Sequence, residues 1–406
     1  MNRVRWRHFA IQAFLLIVAY YPLLNWLIRS FGIPLASLWE EVVLITFLGI
    51  AVVLGWRRVL KLLSDSVVLT GLLYLAATLG SFAVNTYYVG AYIHEARLAF
   101  EPFIAFVIIA LLADEDATKM LRDLVPHLVL CASIVAAIGV IQYVMKVPVP
   151  ARWLDKDTES GVISTRAFSL FGSPNVLAAY LEMVLPLGIW SITGDRPRYR
   201  KLLAVACVLM MGTGFLLTLT RAAWLCAGAS FLTGLLMVRP LFAVAFAAGG
   251  SVVLAVVPTF RLRMTNLLSS SYLDKSNNLG RLYRWRQAFV NTLDHPLLGS
   301  GLGTFGGSAA QKYGFFGATS MDSVWIRVLA ETGIIGFCTF VGWMASAFAN
   351  VAVRFFRSRE TLWLYTSIGL LALLLNMFTD NLLDSWAIAL LLWTLFGLGA
   401  LPEAAK

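Results

Sequence analysis

Apolar runs of about 20 residues recur along the whole 406-residue chain, each long enough to cross ~30 Å of hydrocarbon as a helix. A backbone inside hydrocarbon must satisfy its own hydrogen bonds, so such runs predict helices. They fall near 8–28, 34–55, 67–84, 98–113, 124–145, 174–193, 201–219, 222–238, 240–257, 323–352, 361–378 and 385–401. The expectation is an all-α integral membrane protein of about twelve spans, one polytopic domain over residues 1–406. Composition agrees: 59% of residues are hydrophobic and 13% charged, against about 25% charged in soluble domains, which excludes a soluble enzyme. The run at 8–28 follows MNRVRWRH but precedes no small-residue cleavage site, and reads as an uncleaved first span.

The 32 Lys+Arg outnumber the 22 Asp+Glu, giving +10. The excess sorts onto alternate connections. One side holds Arg3, Arg5, Arg7, Arg57, Arg58, Lys61, Lys119, Arg122, Arg196, Arg198, Arg200, Lys201, Arg239, Arg354, Arg357, Arg359 and Lys406; the short loops of the other hold little beyond Arg29, Arg97 and Arg221. This positive-inside asymmetry predicts cytoplasmic termini and a membrane partner rather than nucleic acid. Cys131, Cys207, Cys226 and Cys338 lie in apolar runs without ligand spacing, so neither disulfide nor zinc is expected. Two polar segments on the outer side, 146–173 and 258–322, the second between expected spans nine and ten, are too long for simple connectors. The second carries Trp285, Phe289, Leu293, Leu297 and Leu298 at helical spacing beside Arg281, Arg284 and Arg286, predicting an amphipathic helix over the bundle.

Within LDHPLLGSGLGTFGG (293–307), five glycines fall within nine positions. Their backbone N–H groups could cradle a phosphate, or the stretch could be a turn-rich re-entrant loop; no Walker lysine accompanies it. HPLLGSGLGTF followed by DSVWIRVLAETGIIGF resembles the signature of the O-antigen ligase and O-antigen polymerase superfamily of bacterial membrane proteins. FGSPNVLAAYLEMVLPL (171–187), LTLTRAAWL (217–225) and GRLYRW (280–285) resemble further motifs of that superfamily, in family order.

The resemblance implies a GT-C-like glycosyltransferase of the bacterial inner membrane with its active site facing the periplasm. It would take a glycan from an undecaprenyl-diphosphate-linked donor and join it to an acceptor hydroxyl, on a lipid-linked glycan in a polymerase or on lipid A–core in a ligase; related enzymes use a pilin serine. No cofactor is implied. A leaving diphosphate needs its growing charge held, by a metal or by forked Arg donors, and the outer side offers Arg221, Arg281, Arg284 and Arg286, with Arg166 and Arg97 in other loops. Arg221 stands at the outer membrane boundary, where a charge either snorkels or meets a ligand. Arg281 and Arg284, three apart, share a helix face. These three are the expected diphosphate site, in an inverting, metal-independent transfer.

The acceptor must lose a proton, so a base is wanted. Ligases of the superfamily commonly carry a His-Asn pair where this chain has Asp322 and Ser323. Asp322 is the expected base, with a helix cap as its structural alternative, and its presence tilts the reading modestly toward a polymerase. Asn175, Glu182, Ser323 and His295 are candidates for orienting the acceptor; His295 belongs to the loop signature and has mainly a structural reading. Arg327 and Glu331, four apart, are expected to neutralise each other. Asp155 and Asp157 of DKD form a weak metal motif, and no metal is expected. A flippase or transporter is the alternative of another class; it would show related halves, which the sequence lacks.

Overall fold

The computed structural model describes residues 2–32, 37–85, 88–113, 116–150, 165–193, 197–256, 280–315 and 321–402, with scattered positions between 258 and 278. Asp114, Glu115, Asp155, Asp157, Arg196 and Lys406, and most of both polar segments before 165 and 280, lie outside them. The described residues form helices α1 (Asn2–Ser30), α2 (Trp39–Leu62), α3 (Ser66–Asn85), α4 (Val89–Phe100), α5 (Ile104–Leu112), α6 (Ala117–Val144), α7 (Pro174–Thr193), α8 (Arg198–Leu217), α9 (Arg221–Val238), α10 (Pro240–Val256), α11 (Arg281–Asp294), α12 (Ser308–Tyr313), α13 (Val324–Ser358), α14 (Thr361–Asn376) and α15 (Trp386–Ala400). Two 3-10 turns, Ser169–Phe171 and Leu382–Asp384, complete the set, and no strand occurs among the described residues.

Among the described residues, eight helices are long and apolar enough to cross a membrane: α1, α2, α3, α6, α7, α8, α9 and α13. They match eight of the expected runs. The run at 98–113 breaks instead into α4 and α5 at Glu101–Phe103, where Pro102 withholds a backbone N–H, and α10, α14 and α15 have shorter apolar stretches.

Burial sorts the helices. α7 is central, with 72% of its apolar window buried, whereas α2 has 17% and exposes Val42, Ile45, Val53 and Leu60, as a lipid-facing helix should. α7 packs against α14, α8 and α6, α3 runs along α13, and α5 is held between α2 and α15. Trp343 and Trp393, 4.5 Å apart at their ring centroids, lock α13 to α15, with Phe103 edge-on to both.

α11 forms where the amphipathic pattern predicts it but ends at Asp294, before His295-Pro296. Ala288 and Trp285 face a small cluster with Phe305, Met321, Ile326 and Ala330. Phe289, Leu293 and Leu297, expected to cover the bundle, are instead exposed.

Candidate active site

The N-termini of α7, α9, α11 and α13 gather at one end of the bundle, linked by side-chain contacts. Ser323, buried, caps α13 through its hydroxyl, accepting from Ile326 N–H at 3.3 Å and donating to the Met377 carbonyl at 3.3 Å. Ser323 rather than Asp322 is therefore the cap, which leaves the Asp322 carboxylate for α11. Arg284 Nη1 donates to Asp322 Oδ2 at 2.8 Å and Arg281 Nε lies 3.7 Å from the same oxygen. All three side chains stay half-buried, open to a ligand. Arg286, on another face of α11, is exposed.

Asp380, in the turn between α14 and α15, was not among the sequence candidates. It neighbours both Asp322 and Arg281, and the Asn175 amide donates to its carboxylate. Its pKa is pushed up to about 6, by desolvation first and then by the Asp322 charge. Asn175, in the first turn of α7 beyond the Ser173 cap, is the hub of a second group. Its Oδ1 accepts from Arg166 Nη2 at 3.0 Å and from the Thr220 hydroxyl at 3.2 Å. Arg166 is buried, and its Nε also donates to the Thr218 carbonyl at 2.9 Å. It thus braces the turn before α9 rather than standing free in a loop. Arg221, the first residue of α9, is half-exposed and adjoins Thr220.

Arg221 and Arg281 each open a helix, where the backbone dipole is positive and a cation is unfavourable. Two such arginines at gathered helix N-termini make a site suited to an anion.

Glu182 lies seven residues beyond Asn175 on α7, about 10 Å deeper along the helix. It is buried, and Oε1 accepts from Asn376 on α14 at 2.9 Å. The Asn376 carbonyl in turn accepts from Asp380 N–H at 3.1 Å, so Glu182 supports the turn carrying Asp380 from below.

The glycine-rich stretch is a plug seated in a kink. At Gly333 α13 breaks, with φ 63° and ψ −167°, and the freed Ile334 and Ile335 N–H groups donate to the Pro296 and Leu297 carbonyls at 2.9 and 3.2 Å. Gly299 crosses this kink backbone to backbone: a Cβ there would lie 2.5 Å from the Glu331 carbonyl oxygen. Several of the loop's N–H groups are engaged within the chain. Ser300 and Gly301 donate to the Ala330 and Glu331 carbonyls, and Phe305 and Gly303 donate to the Glu331 carboxylate. The loop is turn-rich, and the group that its Gly303 and Phe305 N–H donors meet is the chain's own Glu331. His295 ends α11, exposed, and its carbonyl accepts from Gly299.

Arg327 consequently does not pair simply with Glu331. Its guanidinium binds Glu95 of α4 and lies 3.3 Å from Asp384 Oδ1. This buried group fastens α4, α13 and the α14–α15 turn around the loop. Glu95, in the mixed stretch YIHEARLAF between two expected spans, was not among the sequence candidates.

Residues 206–341 match the family described as O-antigen ligase. The O-antigen ligase match takes in α9, α11, the glycine plug and α13 through its kink, and so holds Arg221, Arg281, Arg284 and Asp322; Asn175 and Asp380 fall outside it. It bears out the superfamily resemblance carried by the sequence motifs. No curated protein matches the chain. The match covers about a third of the chain and, on an apolar helical bundle, supports a likeness to membrane enzymes of the ligase/polymerase type.

Proposed function

We propose that the protein is an inverting, metal-independent glycosyltransferase that uses an undecaprenyl-diphosphate-linked glycan at the periplasmic face of the bacterial inner membrane. The observation that carries this reading is the convergence of Arg281 and Arg284 on Asp322, with Asp380 and Asn175 alongside. In this account twelve crossings form a GT-C-like bundle, α10, α14, α15 and the α4–α5 pair serving as short spans, and the arginine-rich ends face the cytoplasm. The exposed stripe Phe289, Leu293 and Leu297 sets α11 in the outer interface.

In the reaction, the acceptor oxygen attacks the anomeric carbon as the bond to the diphosphate breaks. The departing oxygens take charge, which Arg221, Arg281 and Arg284 offset with forked donors. The acceptor proton passes to a carboxylate. Asp322, the expected base, is engaged by two guanidinium groups, Arg281 and Arg284. Asp380, raised to about 6, lies near working pH and is assigned the step; Asp322 positions the arginines. Asn175 aligns Asp380.

The Asp322-Ser323 pair tilts the reading toward polymerisation of O-antigen or exopolysaccharide repeats over ligation to lipid A–core or a pilin serine. Purified protein in proteoliposomes, given undecaprenyl-diphosphate-linked repeat units with and without lipid A–core, tests this. A ladder from repeat units alone supports a polymerase, and product only with lipid A–core supports a ligase. Movement of the lipid-linked sugar between leaflets with no new glycosidic bond would replace the enzyme with a flippase.

A further inference from the structure

At the end of the bundle that carries the glycine plug, Tyr88 stands just before α4 with 60% of its surface exposed. Tyrosines at a membrane interface usually anchor a protein among lipid headgroups, a role that asks for no fixed ring plane. The Tyr88 ring is held. It folds back over Gly90, where a Cβ would stand only 2.7 Å from a ring carbon, and its flank meets Tyr313, centroids 5.2 Å apart at 59°. Tyr313 is braced in turn by His94, edge-on at 6.2 Å, and by the Lys312 ammonium 5.3 Å from its ring centre.

This pair of rings is tied to the candidate site by two short routes. His94 Nε2 lies 3.2 Å from the Ser308 hydroxyl at the start of α12, and Ser308 N–H donates to Asp384 at 3.3 Å. Asp384 accepts from the Asn381 amide at 2.7 Å, one residue from Asp380. By the other route, the Gly306 carbonyl, two residues before α12, accepts from Met321 N–H at 2.8 Å, and Met321 precedes Asp322.

A pyranose ring presents one or both faces as a patch of C–H groups and its rim as hydroxyls. The negative face of an aromatic ring attracts the first, and the Lys312 ammonium and the tyrosine hydroxyls suit the second. An acyl chain would leave those polar groups unused. We propose that Tyr88 and Tyr313 form a glycan-stacking subsite that holds a sugar of the lipid-linked chain away from the bond being made. The inference rests on the glycan-transferase reading and deepens it by locating where the chain beyond the reacting sugar lies.

The test is equilibrium binding to the protein in nanodiscs. The probe is the oligosaccharide released by mild acid from lipid-linked glycans of cells that make the protein. Tyr88→Ala is expected to weaken binding about fivefold. Gly90→Ala, which pushes the ring off its seat without removing it, should weaken it too. Tyr88→Phe should bind within twofold of the parent, and Arg286→Ala, exposed on another face of α11, should retain binding. Equal affinity of the parent and Tyr88→Ala, with both melting at the same temperature, overturns the proposal, as does absence of binding by the parent. A parent that binds the oligosaccharide through Tyr88 yet forms no glycosidic bond in proteoliposomes leaves the subsite standing and removes the transferase reading instead.

Discussion

Replacing Gly333 by alanine tests whether the glycine plug is held by the α13 kink. At φ 63° and ψ −167° the position lies in a region open essentially to glycine alone, and a side chain there costs about 1–3 kcal/mol. The new Cβ would also stand 2.5 Å from the Leu297 carbonyl oxygen and 2.6 Å from the Gly299 nitrogen, both backbone atoms with little freedom to retreat. Parting the two strands forfeits the Ile334 and Ile335 hydrogen bonds to the plug, at about 0.5–1.5 kcal/mol each. The total is roughly 2–6 kcal/mol of local stability. Amide hydrogen exchange reads this directly: Ser300 and Gly301, which donate across the kink, should exchange at least about thirtyfold faster in Gly333→Ala, since each 1.4 kcal/mol is a factor of ten. Gly342→Ala, on the same helix with nothing within 4 Å of the new Cβ, should leave the plug protected and stiffen the helix slightly. Equal protection of the plug in both variants would refute the reasoning.

Arg281→Lys and Arg284→Lys keep the charge but lose the fork, and each should lower the transfer rate at least about tenfold, with Arg221→Ala losing about a hundredfold; exposed Arg286→Ala should stay within twofold in the same assay. Transfer should fall as pH drops through about 6, because the raised Asp380 must be ionised to accept a proton, and the pH–rate profile of Asp380→Asn should lose that limb. The stability linkage has the opposite sign: a carboxyl raised on folding favours the folded state fully below the ordinary carboxylate range, and that contribution is lost as pH rises through about 6. Arg327→Met leaves Glu95, Glu331 and Asp384 facing one another without their cation and should cost about 3–5 kcal/mol, read as a sharply lowered melting temperature.

The eight long apolar helices were legible because a long apolar run has few alternatives to a helix, and the motif around Arg281, Arg284 and Asp322 lay close enough in sequence for helix spacing to join its two arginines. What escaped was long-range. Glu95 meets Arg327 across 232 positions, so the four-residue spacing of Arg327 and Glu331 showed only one of the three carboxyl groups around this cation. Asp380 sits in a connector of a few residues, TDNLLDSW, that reads as a solvated turn; only the packing of α14 against α7 brings it beside Asn175 and Asp322. The Asp322 cap reading failed by one residue, because Ser323 is fully buried and takes the role. For the glycines, sequence could count them but could not say that the loop would wrap a carboxylate of its own helix.

Single-turnover transfer from an undecaprenyl-diphosphate-linked glycan, compared between the parent, Asp380→Asn, Arg284→Lys and Arg286→Ala near pH 7, bears most directly on the claim that the arginine–aspartate group at the gathered helix N-termini performs the chemistry. The account predicts that Asp380→Asn loses at least about a hundredfold and Arg284→Lys at least about tenfold, while Arg286→Ala keeps the parent rate. Equal rates in all four proteins would contradict it.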